Sequence, residues 1–145
     1  MGIPKLGDWH VIFLHFPIAL FYTGLIFDLL GGIFKIKVYP AGHWIVIFAA
    51  LTTIPTVITG LDLTEEFGRN RYFDLHRNWG FATLGFGLLQ GIYRAYVLKA
   101  KKATRYWVFI TLSVVSCFLV TITADWGGLI VFGKGFLKQK TVHSP

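Results

Sequence analysis

The sequence predicts an all-α integral membrane protein, an antiparallel bundle of four transmembrane helices with both termini on one side of the bilayer. Three observations predict it. Apolar residues make up 54% of the chain and aromatics 17%, with a mean hydropathy of +0.61, well above a soluble chain. Charged residues are 14% and fall in clusters, whereas a soluble helix spreads them along one face. Between the clusters lie four apolar runs, about 11–34, 44–62, 78–98 and 106–132. Each is near the roughly 20 residues that a bilayer core requires.

The first run goes from Val11 to Phe34 and contains Pro17; the second starts at Trp44, contains Pro55 and ends in Asp62. Membrane helices tolerate such prolines where neighbours satisfy the freed carbonyls. The third runs from Trp79 to Leu98 and the fourth from Tyr106 to Phe132. Trp9, Trp44, Trp79, Trp107 and Trp126 all fall near span ends, as interfacial belts require. The 16 glycines suit helices that approach each other closely in lipid. At 145 residues the chain is a single membrane domain with no evident internal repeat or linker. Residues 133 to 145 form a polar tail, with Lys134, Lys138 and Lys140 at water or headgroups.

Orientation follows from the connections. One side holds Lys35, Lys37, Arg94, Lys99, Lys101, Lys102 and Arg105 with no acidic loop residue. The other has as many bases, among them Arg69, Arg71, Arg77, Lys134, Lys138 and Lys140, mixed with Asp8, Glu65, Glu66 and Asp74. Counts of Lys and Arg tie, so the purer basic surface is placed in the cytoplasm. Both termini are then periplasmic, in a bacterial inner membrane. No charged leader with a cleavage site marks the start, and no lipidation signal follows Met1-Gly2.

The net charge of +7 excludes little by itself. Without a basic helix face or a nucleic-acid module signature it does not signal nucleic acid. Cys117 lies alone in an apolar run, so neither a disulfide nor a c-type haem attachment exists within this chain.

Small and weakly polar residues recur at helical spacing. The second helix has Ala49, Thr52, Thr56 and Thr59; the third has His76, Gly80, Thr83, Gly87, Gln90 and Arg94; the fourth has Ser113, Ser116, Cys117 and Thr121. Helix contacts in lipid use such stripes. At 1.5 Å per residue, His15, Asp62, His76 and Asp125 each lie about 27–30 Å from the basic end of their own helix. Four ionisable groups at one depth mark a candidate site. Asp28 lies near the basic end, within reach of Arg94. His10 lies on a different helical face from His15, His43 belongs to the basic side, and His143 lies in the tail.

The same residues carry a resemblance. Leu14-His15-Phe16-Pro17-Ile18-Ala19-Leu20 with Asp28-Leu29-Leu30-Gly31 opens a pattern. Thr59-Gly60-Leu61-Asp62, then His76 and Arg94, then Trp126-Gly127-Gly128 with Val131-Phe132 and Gly135 continue it. Together they resemble a bacterial membrane-protein family catalogued as domain of unknown function 2231. The resemblance implies a small four-helix protein with a redox or respiratory role. Two departures stand out: Leu129 and Lys134 occupy positions where many members have Glu and His, and Asn78 falls at an altered spacing from His76.

The expected function is a membrane redox subunit that binds a b-type haem or a quinone headgroup. Two histidines on different helices can supply axial imidazoles. The expected pair is His15 and His76, with His10 as a substitute, Arg77 toward the propionates, and Gly80 and Gly87 making room for the macrocycle. A quinone would use His15 or His76 with Asp62 or Asp125 exchanging protons. A divalent metal on the two His and two Asp is chemically possible but lacks local ligand spacing. The alternative is a non-catalytic accessory subunit of a larger respiratory or photosynthetic complex, with a cytochrome among the expected partners. No nucleophile arrangement or nucleotide motif marks a self-standing enzyme, and no broken-helix repeat marks a transporter.

Overall fold

The computed structural model describes residues 6–37, 40–63, 71–100 and 105–132. The connections holding Glu65, Glu66, Arg69, Lys101 and Lys102, and the tail holding Lys134, Gly135, Lys138, Lys140 and His143, lie outside the described residues. A short 3-10 turn over Leu6–Trp9 leads into α1 (His10–Gly32), followed by α2 (Ala41–Asp62), α3 (Arg71–Lys99) and α4 (Tyr106–Phe132). Among the described residues every regular element is helical.

Three of the four helices, α1, α2 and α4, are long and apolar enough to cross a membrane. Only 17%, 28% and 28% of their apolar windows is buried, so most of that surface faces outward. The third helix has the length, at 29 residues, but not the hydropathy. Beyond its first two turns the polar residues Thr83, Gln90 and Arg94 are buried, whereas Leu89 and Ile92 are 69% and 67% exposed. It also begins two turns earlier than expected, because Arg71, Asp74 and Arg77 continue the helix beyond its apolar part.

Each helix packs against its neighbours in sequence, and α4 closes back onto α1. Cross-bundle contacts fix the directions. His10 meets His76 at one end, and Asp28 meets Arg94 at the other. Helices α1 and α3 therefore run the same way, and α2 and α4 return. Pro17 leaves the Phe13 carbonyl without its usual helical donor. The Thr56 hydroxyl on α2 supplies one, at 3.1 Å.

A repeat hidden in the sequence organises the core. Asp28 and Arg94 stand 66 residues apart. The same step carries the buried positions Pro17, Phe21, Gly24, Asp28 and Gly31 of α1 onto Thr83, Gly87, Gln90, Arg94 and Val97 of α3, all buried. One residue more carries Gly42, Val46, Ala49, Ala50 and Thr53 of α2 onto Phe109, Ser113, Ser116, Cys117 and Val120 of α4, again all buried. Two helical hairpins thus present equivalent faces around a pseudo-twofold axis along the bundle. At these buried positions side-chain identity is not preserved, only its complement. Phe21 fills the space above Gly87, where an added Cβ would lie 3.0 Å from the ring. A flat macrocycle expected beside Gly87 therefore finds that space filled by Phe21.

The basic end is closed by a polar knot. Arg94 Nη1 and Nη2 donate to Asp28 Oδ1 and Oδ2 at 3.0 and 2.5 Å. Ser113 donates to Asp28 Oδ2 and accepts from Arg94 Nη2. Gln90 donates to Ser113 and accepts from Ser116. The guanidinium lies 4.6 Å over the Phe109 ring, which His43 meets edge-on. Such pairing is what permits charge inside an apolar bundle.

Candidate functional site

The opposite end holds a cavity of about 770 Å³, lined mainly by apolar side chains from all four helices. His10 and His76 line it, with ring centres 6.2 Å apart and planes at 87°. Both are partly buried.

Each ring is fixed by the same device. His10 Nδ1 lies 2.9 Å from the Thr56 carbonyl and 3.2 Å from Thr59 Oγ1. His76 Nδ1 lies 2.7 Å from the Thr123 carbonyl. A carbonyl only accepts, so Nδ1 carries the proton on both rings. Neutral imidazole then keeps a bare lone pair on Nε2. Four residues beyond each threonine is a glycine. An added Cβ at Gly60 would stand 2.7 Å from His10 Cε1, and one at Gly127 would stand 3.0 Å from His76 Cε1. The missing side chains are what let the rings seat against the helix backbone.

The expected layer is brought together only in part. The structure joins His76 to His10 rather than to His15. At 100° per residue His10 shares a face with Pro17, Phe21 and Asp28, while His15 is turned about 140° away. His15 is exposed and its Nδ1 donates to the Val11 carbonyl of its own helix, although it still borders the cavity. Asp62 is exposed, and its Oδ2 accepts the Gly7 backbone N–H at 2.8 Å. Asp125 is also exposed and, like Asp62, lies outside the cavity lining. Arg77 borders the cavity and pairs with Asp74 one turn earlier, at 3.1 Å. Gly80 lines the cavity as well.

These positions bear on what the site can hold. Among the described residues no three His, Cys, Asp or Glu side chains converge on a point suited to an ion. The four-ligand arrangement of two His and two Asp is not formed. Two imidazoles with bare Nε2 atoms remain, able to ligate a metal that brings its other ligands with it, or to accept from a hydroxyl.

Sequence reasoning undervalued His10 and missed the threonine carbonyls and glycines. A signal was present: His10 precedes Asp28 by the interval at which His76 precedes Arg94. Both spans of sequence match, so a contact at one end implies a contact at the other.

No curated protein and no solved structure matches the chain. A family model described as predicted membrane protein (DUF2231) matches residues 8–140, and the chain belongs to that family.

Proposed function

We propose that the protein is a membrane redox subunit that crosses the bilayer four times and holds one b-type haem between His10 and His76. The observation that carries this reading is the pair of orthogonal imidazoles 6.2 Å apart, both with Nδ1 engaged and Nε2 bare. His10 and His76 would hold the haem iron through their Nε2 atoms, at a ring separation that accommodates two metal–nitrogen bonds of about 2 Å. A haem, whose iron is held by its own ring nitrogens, would take the remaining ligands from these two imidazoles. The cavity lies within the roughly 300–1,000 Å³ of cofactor pockets. Arg77 borders it and is the group to face the propionates. A haem bound there supplies a one-electron centre.

The fourth crossing is supported by α3 itself. Its outward face is apolar, and its deepest charge is neutralised by Asp28. The antiparallel arrangement brings the start of α1 and the end of α4 to the histidine side, and the basic connections at the other end favour an orientation with the histidine side outside the cytoplasm of a bacterial cell.

A quinol is the second reading, favoured by the bare Nε2 atoms, which accept from a hydroxyl. The oxidised quinone carbonyl finds no donor on either ring, because both Nδ1–H groups are spent on threonine carbonyls.

The test is a reduced-minus-oxidised visible spectrum of protein purified with haem in excess. A sharp alpha band is expected in wild type and His15→Ala, and none in His10→Ala or His76→Ala. A blank wild-type spectrum sinks the haem reading. Saturable quinol binding by that blank protein, lost in His10→Ala, would establish the second.

A further inference from the structure

We propose that the His pair is presented by two copies of one half-site, with Thr56, Gly60, Thr123 and Gly127 as positioning residues that fix both imidazoles as Nδ1–H tautomers. The ligand named above rests on the preceding reading; the positioning itself does not.

The argument begins with the repeat. The step that maps the buried face of α1 onto α3 maps His10 onto His76. The step that maps α2 onto α4 maps Thr56 onto Thr123 and Gly60 onto Gly127. In each hairpin the first helix supplies a histidine, and the second supplies a threonine carbonyl and, one turn on, a glycine. The two hydrogen bonds, 2.9 and 2.7 Å, are the same bond made twice. A chance pairing of two core histidines has no reason to reproduce the acceptor, its position and the adjoining glycine together.

The consequence is chemical. A carbonyl acceptor on Nδ1–H fixes the tautomer and orients the ring. With the same acceptor on both sides, the site presents two donors of matched strength across the pseudo-twofold axis. It would suit a ligand whose two faces are alike, such as a planar metal macrocycle held by His10 and His76. Thr59 Oγ1 adds a longer contact to His10 alone and is the only hydrogen-bonding asymmetry at the rings among the described residues.

The test is imidazole nitrogen NMR of the full chain in lipid bilayers without added haem, followed by the optical spectrum after haem addition. Both His10 and His76 are expected as Nδ1–H tautomers in wild type. Gly60→Ala should displace His10 and leave His76 unchanged; Gly127→Ala should do the reverse, more weakly, since its Cβ lies farther from the ring. An Nε2–H tautomer at either ring in wild type overturns the proposal, whether or not haem binds. Equal disturbance of both rings by each glycine variant also overturns it, because a general loosening acts that way. Expected tautomers with no haem band uphold the half-sites and reject the haem.

Discussion

Arg94 and Asp28 form a two-pronged ion pair at the closed end of the bundle, with side-chain exposures of 0% and 4%. Removing one partner leaves a charge that neither water nor lipid can solvate. Asp28→Asn or Arg94→Leu should therefore lower unfolding stability by about 3–5 kcal/mol, and the double replacement Asp28→Leu with Arg94→Leu should recover much of it. The charge-reversed pair, Asp28→Arg with Arg94→Asp, should recover only in part. The repeat places Val46 where Ser113 now supports the native carboxylate, and valine cannot donate. Denaturant titration in detergent reads all four; single and double variants of equal stability would refute the coupling.

The glycines separate into two groups by what surrounds them. A Cβ at Gly24 would stand 2.3 Å from Val46 Cγ2, and one at Gly31 would stand 2.2 Å from Tyr106 Cε1. Alanine at either position should destabilise by about 1–3 kcal/mol through overpacking. Nothing lies within 4 Å of a Cβ at Gly85 or Gly128. Alanine there should be neutral or stabilising, by up to about 1 kcal/mol of helix propensity. Thermal unfolding of the four variants checks the order, and a loss at Gly85→Ala as large as at Gly24→Ala would contradict the packing.

The fold was legible because its signal is long-range in sequence and simple in kind. Twenty-residue apolar runs with tryptophans at their ends give helix number and approximate bounds without any tertiary knowledge. The Asp28–Arg94 contact was also within reach, since two opposite charges buried at one depth have few other ways to be solvated. The His pair was harder. His76 lines the cavity beside His10, but choosing between His10 and His15 needs the rotation of α1, which its nearly all-round apolar surface does not declare. Asp28, once paired, supplies that rotation and selects His10. On the inward faces the repeat keeps residue identity only at the histidine end, in His10 and His76, Thr56 and Thr123, Gly60 and Gly127, while deeper positions on the axis are filled by complements: Phe21 against Gly87, a carboxylate against a guanidinium. The acceptors on the rings are backbone carbonyls, and no residue type advertises those.

Orientation is testable without structure. The proposed orientation puts the connections with Lys35 and Lys37 after α1, and with Lys99 and Arg105 between α3 and α4, in the cytoplasm. A phosphatase reporter fused after Phe132 should be active, and one fused after Lys99 inactive. The reverse pattern would turn the protein over and put the histidine end inside the cell.

Haem occupancy should show in stability as well as in colour. His10 and His76 belong to α1 and α3, which face each other across the bundle and do not pack as sequence neighbours do. A group ligated by both rings ties one hairpin to the other. At a free concentration 100 times its dissociation constant, a ligand specific to the folded state adds about 2.7 kcal/mol. Protein from haem-replete cells should therefore melt higher than protein from haem-starved cells. That difference should vanish in His10→Ala and in His76→Ala, and persist in His15→Ala. An equal gain in His10→Ala would mean that haem binds elsewhere, and that the two bare nitrogens serve a different ligand.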